Sequence, residues 1–223
     1  MSRVRSLEPS RSPARGLSRR AEVRAGQAYR ALMINLEELA ATVASLGPAH
    51  RILEIGCGKG ALATKLALAF PEADYLGIDP LADPGRNFRG DRSRMVFRSM
   101  LSSELLAGNP DPFDLVLVVD VLHHVPETDH ALLLSDAAAL TRPGGLVVVA
   151  DWERGRGPAD LFCYLTCRWL TRDRDVRFIG GPELRELVRD GLPGFENVVT
   201  TRVPPHRNNL LFALRAPSER MGA

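Results

Sequence analysis

Arg51-Ile-Leu-Glu-Ile-Gly-Cys-Gly-Lys-Gly-Ala61 decides the fold. It reads as a short buried strand, β1 (Arg51–Ile55), that turns through glycines into a helix. Gly56 permits the tight turn, and Gly58 lets a ligand approach the backbone with no Cβ in the way. The helix start beyond them is expected to offer unpaired N–H groups to a ligand. Glu54 narrows the choice. A carboxylate just ahead of the glycines repels a pyrophosphate and suits a ligand carrying an ammonium or sulfonium.

Outward from this stretch, strands and helices alternate. On the N-terminal side, Leu36, Leu39, Val43 and Leu46 form one helical stripe from Leu32 onward, ended by Gly47-Pro48. Ala61–Phe70 is an amphipathic helix closed by Pro71. Tyr75–Ile78 is β2, ending at Asp79-Pro80, and Met95–Arg98 is a weak β3. Ser102–Ala107 is a short helix. Asp114–Val119 is β4, an uninterrupted aliphatic run suited to a sheet covered on both faces. Glu127–Thr141 is a helix, and Leu146–Ala150 is β5 after the turn at Arg142–Gly145. This βαβ spacing predicts an α/β fold with a doubly wound, mostly parallel sheet. After a helix at Glu183–Asp190, two β-rich runs, Asn197–Val203 and Asn209–Arg215, are separated only by Pro204–Asn208. So short a connection has no room for a crossover helix, so the pair is an antiparallel hairpin. It brings the expected sheet to seven strands in a Rossmann-like order.

Composition sets the limits around this core. The chain has 223 residues, 45% hydrophobic and 25% charged, as in ordinary globular domains. Its apolar runs, such as Leu115–Val119, fall well short of the ~18 residues of a membrane span. The Arg-, Ser- and Pro-rich N-terminus lacks the apolar core of a secretory signal, so a cytoplasmic location with no membrane partner is the expectation. The three cysteines, Cys57, Cys163 and Cys167, are too few for a disulfide framework. Residues 1–20 hold six arginines against the single acid Glu8 and read as a disordered basic tail. Residues 21–223 form the domain, with an N-terminal helical lid over about 21–47 and a lid insertion over about 152–181. Within the insertion, Leu161–Leu170 is apolar nearly all round and, with Tyr164 and Trp169, suits either an acceptor pocket or a packing contact. The N-terminal lid, including Tyr29, is placed to close over a ligand from the other side.

Two ligand readings compete for the glycine turn. Gly56-Cys-Gly-Lys-Gly-Ala61 formally satisfies the dinucleotide pattern, and Asp79 lies at a suitable distance to hold ribose hydroxyls. The chain also resembles the class I S-adenosylmethionine-dependent methyltransferases. Glu54–Gly60 looks like that family's first motif, and Gly77-Ile-Asp79 like its second. Phe113–Pro126 is similar to its fourth strand and following turn, and Arg142–Val149 to its approach to β5. The terminal hairpin matches its last two strands. The resemblance covers about residues 25–215.

That resemblance implies S-adenosylmethionine as cofactor. Glu54 and Gly56 would face the methionine amino end, with Cys57 beside them. Gly58 would leave room for the ribose and sulfonium. Asp79, followed by Pro80, would hold the ribose 2′- and 3′-hydroxyls. Ser99 and Met100 would sit near adenine, where many relatives carry an acid, and Asp120 would flank the methionine portion.

The sulfonium methyl is already activated, so the protein's work is alignment and exclusion of water. A base is needed only for a hydroxyl or similar acceptor. His124 and His123, after β4, are the candidate catalytic residues, and His206 in the hairpin loop is a more distant one. His50 and His130 read as surface residues. Asp120 and Asp151 could face one mouth, but the Asp-Asn pair of metal-dependent relatives is Asp151-Trp152 here, so no metal is assigned. The function expected is methyl transfer to a small-molecule acceptor, with secondary-metabolite biosynthesis as its setting, by a monomer or homodimer. The alternatives are a methyltransferase of RNA or protein, served by the basic tail, and a non-methylating cyclase or scaffold. Asn109-Pro-Asp-Pro-Phe113 is only superficially similar to the signature of nucleic-acid amino-methylating enzymes, since it precedes β4, and nucleic acid is not the expected partner.

Overall fold

The computed structural model describes residues 34–154 and 179–219. The basic tail, Tyr29, and the segment with Cys163, Tyr164, Cys167 and Trp169 lie outside the described residues, as do most of the expected lid insertion and the first part of the N-terminal lid.

The strands are β1 (Arg51–Ile55), β2 (Asp74–Asp79), β3 (Met95–Ser99), β4 (Phe113–Val119), β5 (Thr141–Arg154), β6 (Ile179–Gly180), β7 (Glu196–Val203) and β8 (Asn209–Arg215). Seven of them lie in the order β3-β2-β1-β4-β5-β8-β7, and β6 pairs beside β5. The first five are mutually parallel, whereas β8 runs antiparallel to both β5 and β7. The doubly wound sheet and the terminal hairpin are therefore as the sequence predicts. The extra strand β6 is two residues long, and so short a segment carries no alternation that a sequence reading could detect.

The helices are α1 (Leu36–Ala44), α2 (Ala61–Ala69), α3 (Ser102–Ala107), α4 (Glu127–Leu140) and α5 (Gly181–Gly191). Helix α1 begins later than its apolar stripe suggests, because the Asn35 side chain accepts from Glu37 N–H and Glu38 N–H, each at 3.1 Å. A side-chain cap of this kind fixes the first turn. Helix α4 ends one residue early. Thr141 joins β5 opposite Phe113, and the register slips before Leu115 meets Leu146.

The aliphatic faces of the sheet bury two cores. One gathers Leu39, Val43, Leu62, Leu66, Leu117 and Val148 under α1 and α2. The other gathers Leu53, Val116, Leu134, Val147, Leu184 and Val188 under α4 and α5. This two-sided covering is why β4 and β5 read as unbroken apolar runs. At the lower end, Asp114 fixes the entry to β1, accepting from the N–H groups of His50 and Arg51 at 2.7 and 2.8 Å. The carboxyl ends of β1, β2, β4 and β5 all open on the opposite edge. The order reverses between β1 and β4, which is where ligands of such sheets bind.

Gly56 is where backbone conformation and packing coincide. Its φ is +78°, and a Cβ there would lie 2.3 Å from Val121 Cγ2. Gly56→Ala combines a left-handed strain with overpacking, each about 1–3 kcal/mol. Urea unfolding is expected to show a loss of about 2–4 kcal/mol, and a loss below about 1 kcal/mol would contradict this packing.

Candidate active site

The glycine turn is closed from within. The N–H groups of Gly56 and Cys57 both donate to Ile78 O, at 2.8 and 3.1 Å, and that of Gly60 donates to Cys57 O at 2.9 Å. Gly58 N–H donates to Asp79 Oδ2 at 2.8 Å. Within the turn these four N–H groups are thus already engaged. The cause is the neighbouring strand, since the end of β2 supplies both a carbonyl and a carboxylate. A loop from Leu81 to Gly90 braces the outer side: Gly85 N–H and Asn87 N–H donate to Gly58 O and Lys59 O, each at 2.9 Å. Gly60 must be small because a Cβ would meet Gly85 Cα at 3.0 Å. Around the Gly58 Cβ position, by contrast, the nearest 4 Å is empty, and its φ is +50°.

Asp79 is half-buried at the end of β2, and Pro80 after it is exposed. Besides the bond from Gly58, its Oδ1 accepts from Leu81 N–H at 2.9 Å. A carboxylate has about four acceptor positions, so two further donors, such as a vicinal diol, can still be received. Glu54 is buried, and Tyr75 donates its hydroxyl to Glu54 Oε2 at 2.5 Å. The sequence reading missed Tyr75. The available signal was its place in Tyr75-Leu-Gly-Ile-Asp79, on the same strand face as Gly77. Burial, then the Glu54 charge, push the Tyr75 phenol well above its ordinary value, so it stays a donor. Cys57 is buried against the same acids, and desolvation first, with Glu54 and Asp79 next, raises its thiol far above the usual range. It is an uncharged packing group. Ser99 is exposed at the end of β3 and Met100 is half-buried after it. Met100 N–H donates to Asp79 O at 3.2 Å, which ties this pair to the end of β2.

The opposite wall comes from β4 and β5. Asp120 turns the chain with φ +54° and donates its N–H to Ala150 O at 2.8 Å. The one-turn 3₁₀ helix Leu122–His124 follows. His123 is buried, with Nδ1 2.6 Å from Oδ1 of fully buried Asp151. Its backbone N–H reaches Oδ2 at 3.3 Å, and Trp152 N–H donates to Oδ1 at 2.7 Å. Burial alone would raise the Asp151 carboxyl. The charge and hydrogen bond of His123, with those two N–H groups, overcome it and hold the acid below its ordinary value. His124 is exposed, its ring 4.1 Å from that of His123.

His130 is not a surface residue. It is buried on α4, and its Nε2 lies 2.8 Å from Leu122 O and 2.9 Å from Val125 O, so it pins the histidine turn from behind. The exposed flanks of α4 hide this at the sequence level, because one polar residue inside an otherwise polar turn carries no periodic mark. His50 is exposed, as expected, and His206 is exposed in the hairpin loop.

Asp120, His123 and Asp151 each bring one potential ligand atom, all within 4.8 Å of one another. His123 Nδ1 is already engaged with Asp151 Oδ1. Chemically, the crevice sets acids and an occupied glycine turn on one side, and an acid-supported imidazole on the other. Among the described residues, no helix is long and apolar enough to cross a membrane.

A family model described as a methyltransferase domain matches residues 24–198. The ubiquinone biosynthesis O-methyltransferase of Rhodopseudomonas palustris (strain TIE-1) is 37% identical over 114 residues, covering 47% of this chain and 40% of that protein. Its counterpart in Xylella fastidiosa (strain M23) is 29% identical over 173 residues, covering 74% of this chain and 69% of that protein. The chain spans 40% to 50% of the length of the first of the curated relatives it matches. Among solved structures, the mitomycin 7-O-methyltransferase MmcR superposes with a TM-score of 0.67 at 22% identity, covering 89% of this chain and 57% of that one. The Burkholderia thailandensis 1,6-didemethyltoxoflavin-N1-methyltransferase, which holds S-adenosylhomocysteine, gives 0.60 at 22% identity and covers 94% of both chains. These likenesses are of fold.

Asp151→Ala leaves His123 Nδ1 and two buried N–H groups without their acceptor. The expected loss in urea unfolding at pH 7 is about 3–5 kcal/mol. Because the folded carboxyl lies below its ordinary value, its contribution is complete above pH ~4 and fades as the pH falls through the lowered value. A difference between the proteins that grows on acidification would contradict the pairing.

Proposed function

The chain belongs to the methyltransferase domain family, and from that premise we propose that it transfers the methyl group of S-adenosylmethionine to a hydroxyl of a small-molecule acceptor. The observation that carries the cofactor reading is the occupied glycine turn. A dinucleotide needs free N–H groups for its pyrophosphate. Here Gly56, Cys57, Gly58 and Gly60 already donate within the protein, and the acids Glu54 and Asp79 border the turn. A phosphate-free ligand with an ammonium and a sulfonium fits that field, and a phosphorylated one is repelled. Glu54 and Gly56, with Cys57, receive the methionine end. Gly58 leaves room for the ribose, Asp79 beside Pro80 accepts from its hydroxyls, and Ser99 and Met100 border adenine. Asp120 flanks the methionine portion.

The acceptor side supports oxygen chemistry. Ionised Asp151 accepts at His123 Nδ1, which fixes the tautomer that leaves the lone pair on Nε2. A hydroxyl nucleophile needs such a base as the methyl moves from sulfur to oxygen, and the proton passes to Nε2. His124 stands beside it at the exposed edge and lines the acceptor entrance. The relatives named O-methyltransferases support the same choice.

Two measurements test this. Asp79→Ala is expected to weaken S-adenosylhomocysteine binding by about 1–3 kcal/mol in calorimetry; unchanged affinity would remove the ribose assignment. With methyl-labelled S-adenosylmethionine and a panel of phenols, catechols and amines, O-methyl products are expected. His123→Asn should slow their formation about 10²–10⁴-fold. Label found on nitrogen alone would overturn the hydroxyl reading.

A further inference from the structure

We propose that Tyr75 is a positioning residue of the cofactor site: its hydroxyl orients the Glu54 carboxylate for the methionine ammonium. The inference rests on the reading of Glu54 as the group that receives that ammonium. Glu54 stands opposite Gly77 in the parallel register of β1 and β2. Tyr75 lies two residues before Gly77, on the same face of β2. Its ring lies along the strand, and its hydroxyl passes over Gly77, where a Cβ would lie only 2.8 Å from it. Cys57 Sγ closes the other side of that position at 2.9 Å. The hydroxyl ends 2.5 Å from Glu54 Oε2.

The tyrosine is itself braced. Its ring packs on Phe97 at 5.6 Å, Phe97 packs on Phe88 at 5.5 Å, and the Arg92 guanidinium lies 5.3 Å from the Phe97 ring and 5.6 Å from that of Phe88. Arg92 also donates to Gly85 O at 2.9 Å, and Gly85 N–H holds Gly58 O. One continuous set of contacts therefore runs from the loop that supports the glycine turn to the acid below it. A buried carboxylate is oriented by its hydrogen bonds, and a charge-assisted bond from a rigid ring is a strong one. The phenol is kept protonated by burial and by the acid it serves.

The test compares two thioether nucleosides. S-adenosylhomocysteine carries the amino-acid end, and 5′-methylthioadenosine lacks it. Tyr75→Phe is expected to weaken S-adenosylhomocysteine binding about tenfold or more and to change methylthioadenosine binding less than about twofold. In turnover, KM for S-adenosylmethionine rises while kcat holds, because the ammonium contact is equal in ground and transition states. In a Glu54→Gln background the same change is expected to have no further effect. Gly77→Ala, which displaces the hydroxyl, should reproduce the selective loss. Equal losses for both nucleosides, or none for either, would overturn the inference while leaving the cofactor assignment intact. A wild-type protein that binds neither nucleoside would instead sink the cofactor reading, and this inference with it.

Discussion

The hydrogen bond from Gly58 N–H to the Asp79 carboxylate, 2.8 Å long, is the constraint on which the crevice depends. It ties the turn after β1 to the end of β2. It also removes from that turn a donor that a phosphate would need. With Ile78 O taking two more N–H groups and Cys57 O another, the turn keeps the shape of a dinucleotide loop while four of its donors are already engaged. Shape and electrostatics are thus separable in this motif. The glycines set the path of the chain, and the neighbouring strand decides which charge is welcome beside it.

The other wall works by a different balance. Asp151 is fully buried, a position that disfavours its charge, yet His123 and two N–H groups keep it ionised. An acid held in this way imposes direction on the imidazole it meets. His130 fixes the same turn from the α4 side through two carbonyls. The histidine turn is therefore held at its front by the Asp151 carboxylate and at its back by the His130 ring. Such double support accompanies the left-handed backbone at Asp120, a region that Asp tolerates better than most residues with a Cβ.

Much of this was legible in the sequence, for reasons that differ by element. The parallel strands announced themselves because burial on both faces leaves uninterrupted aliphatic runs such as Leu115–Val119. The hairpin followed from a connection too short for a helix. Asp79 and Glu54 stood out because glycines mark where a backbone comes close to a ligand. Less visible were the contacts made across strands. Nothing in the string Ile78-Asp79 declares that its carbonyl and carboxylate occupy the N–H groups of Gly56, Cys57 and Gly58. The burial of His130 depends on how α4 settles against the histidine turn, and the Asn35 cap competes with an apolar stripe that begins earlier. Tyr75 read as a strand-forming core residue, which its ring is, while its hydroxyl serves the acid.

That double role of Tyr75 explains a spacing. Side chains alternate along a strand, so Tyr75, Gly77 and Asp79 share one face of β2. The last of them closes the glycine turn, and the first reaches back to Glu54. Gly77 lies between them with no side chain, and the phenol hydroxyl fills the space a Cβ would take. A larger residue at the centre would push Tyr75 off Glu54 and would press on Cys57. Removing the Tyr75 donor from a carboxylate at 4% exposure would cost about 1–3 kcal/mol. The three positions therefore act as one unit: a ring, a gap and an acid at every second residue place both carboxylates of the crevice from a single strand. This is why the glycine of β2 matters alongside those of the turn.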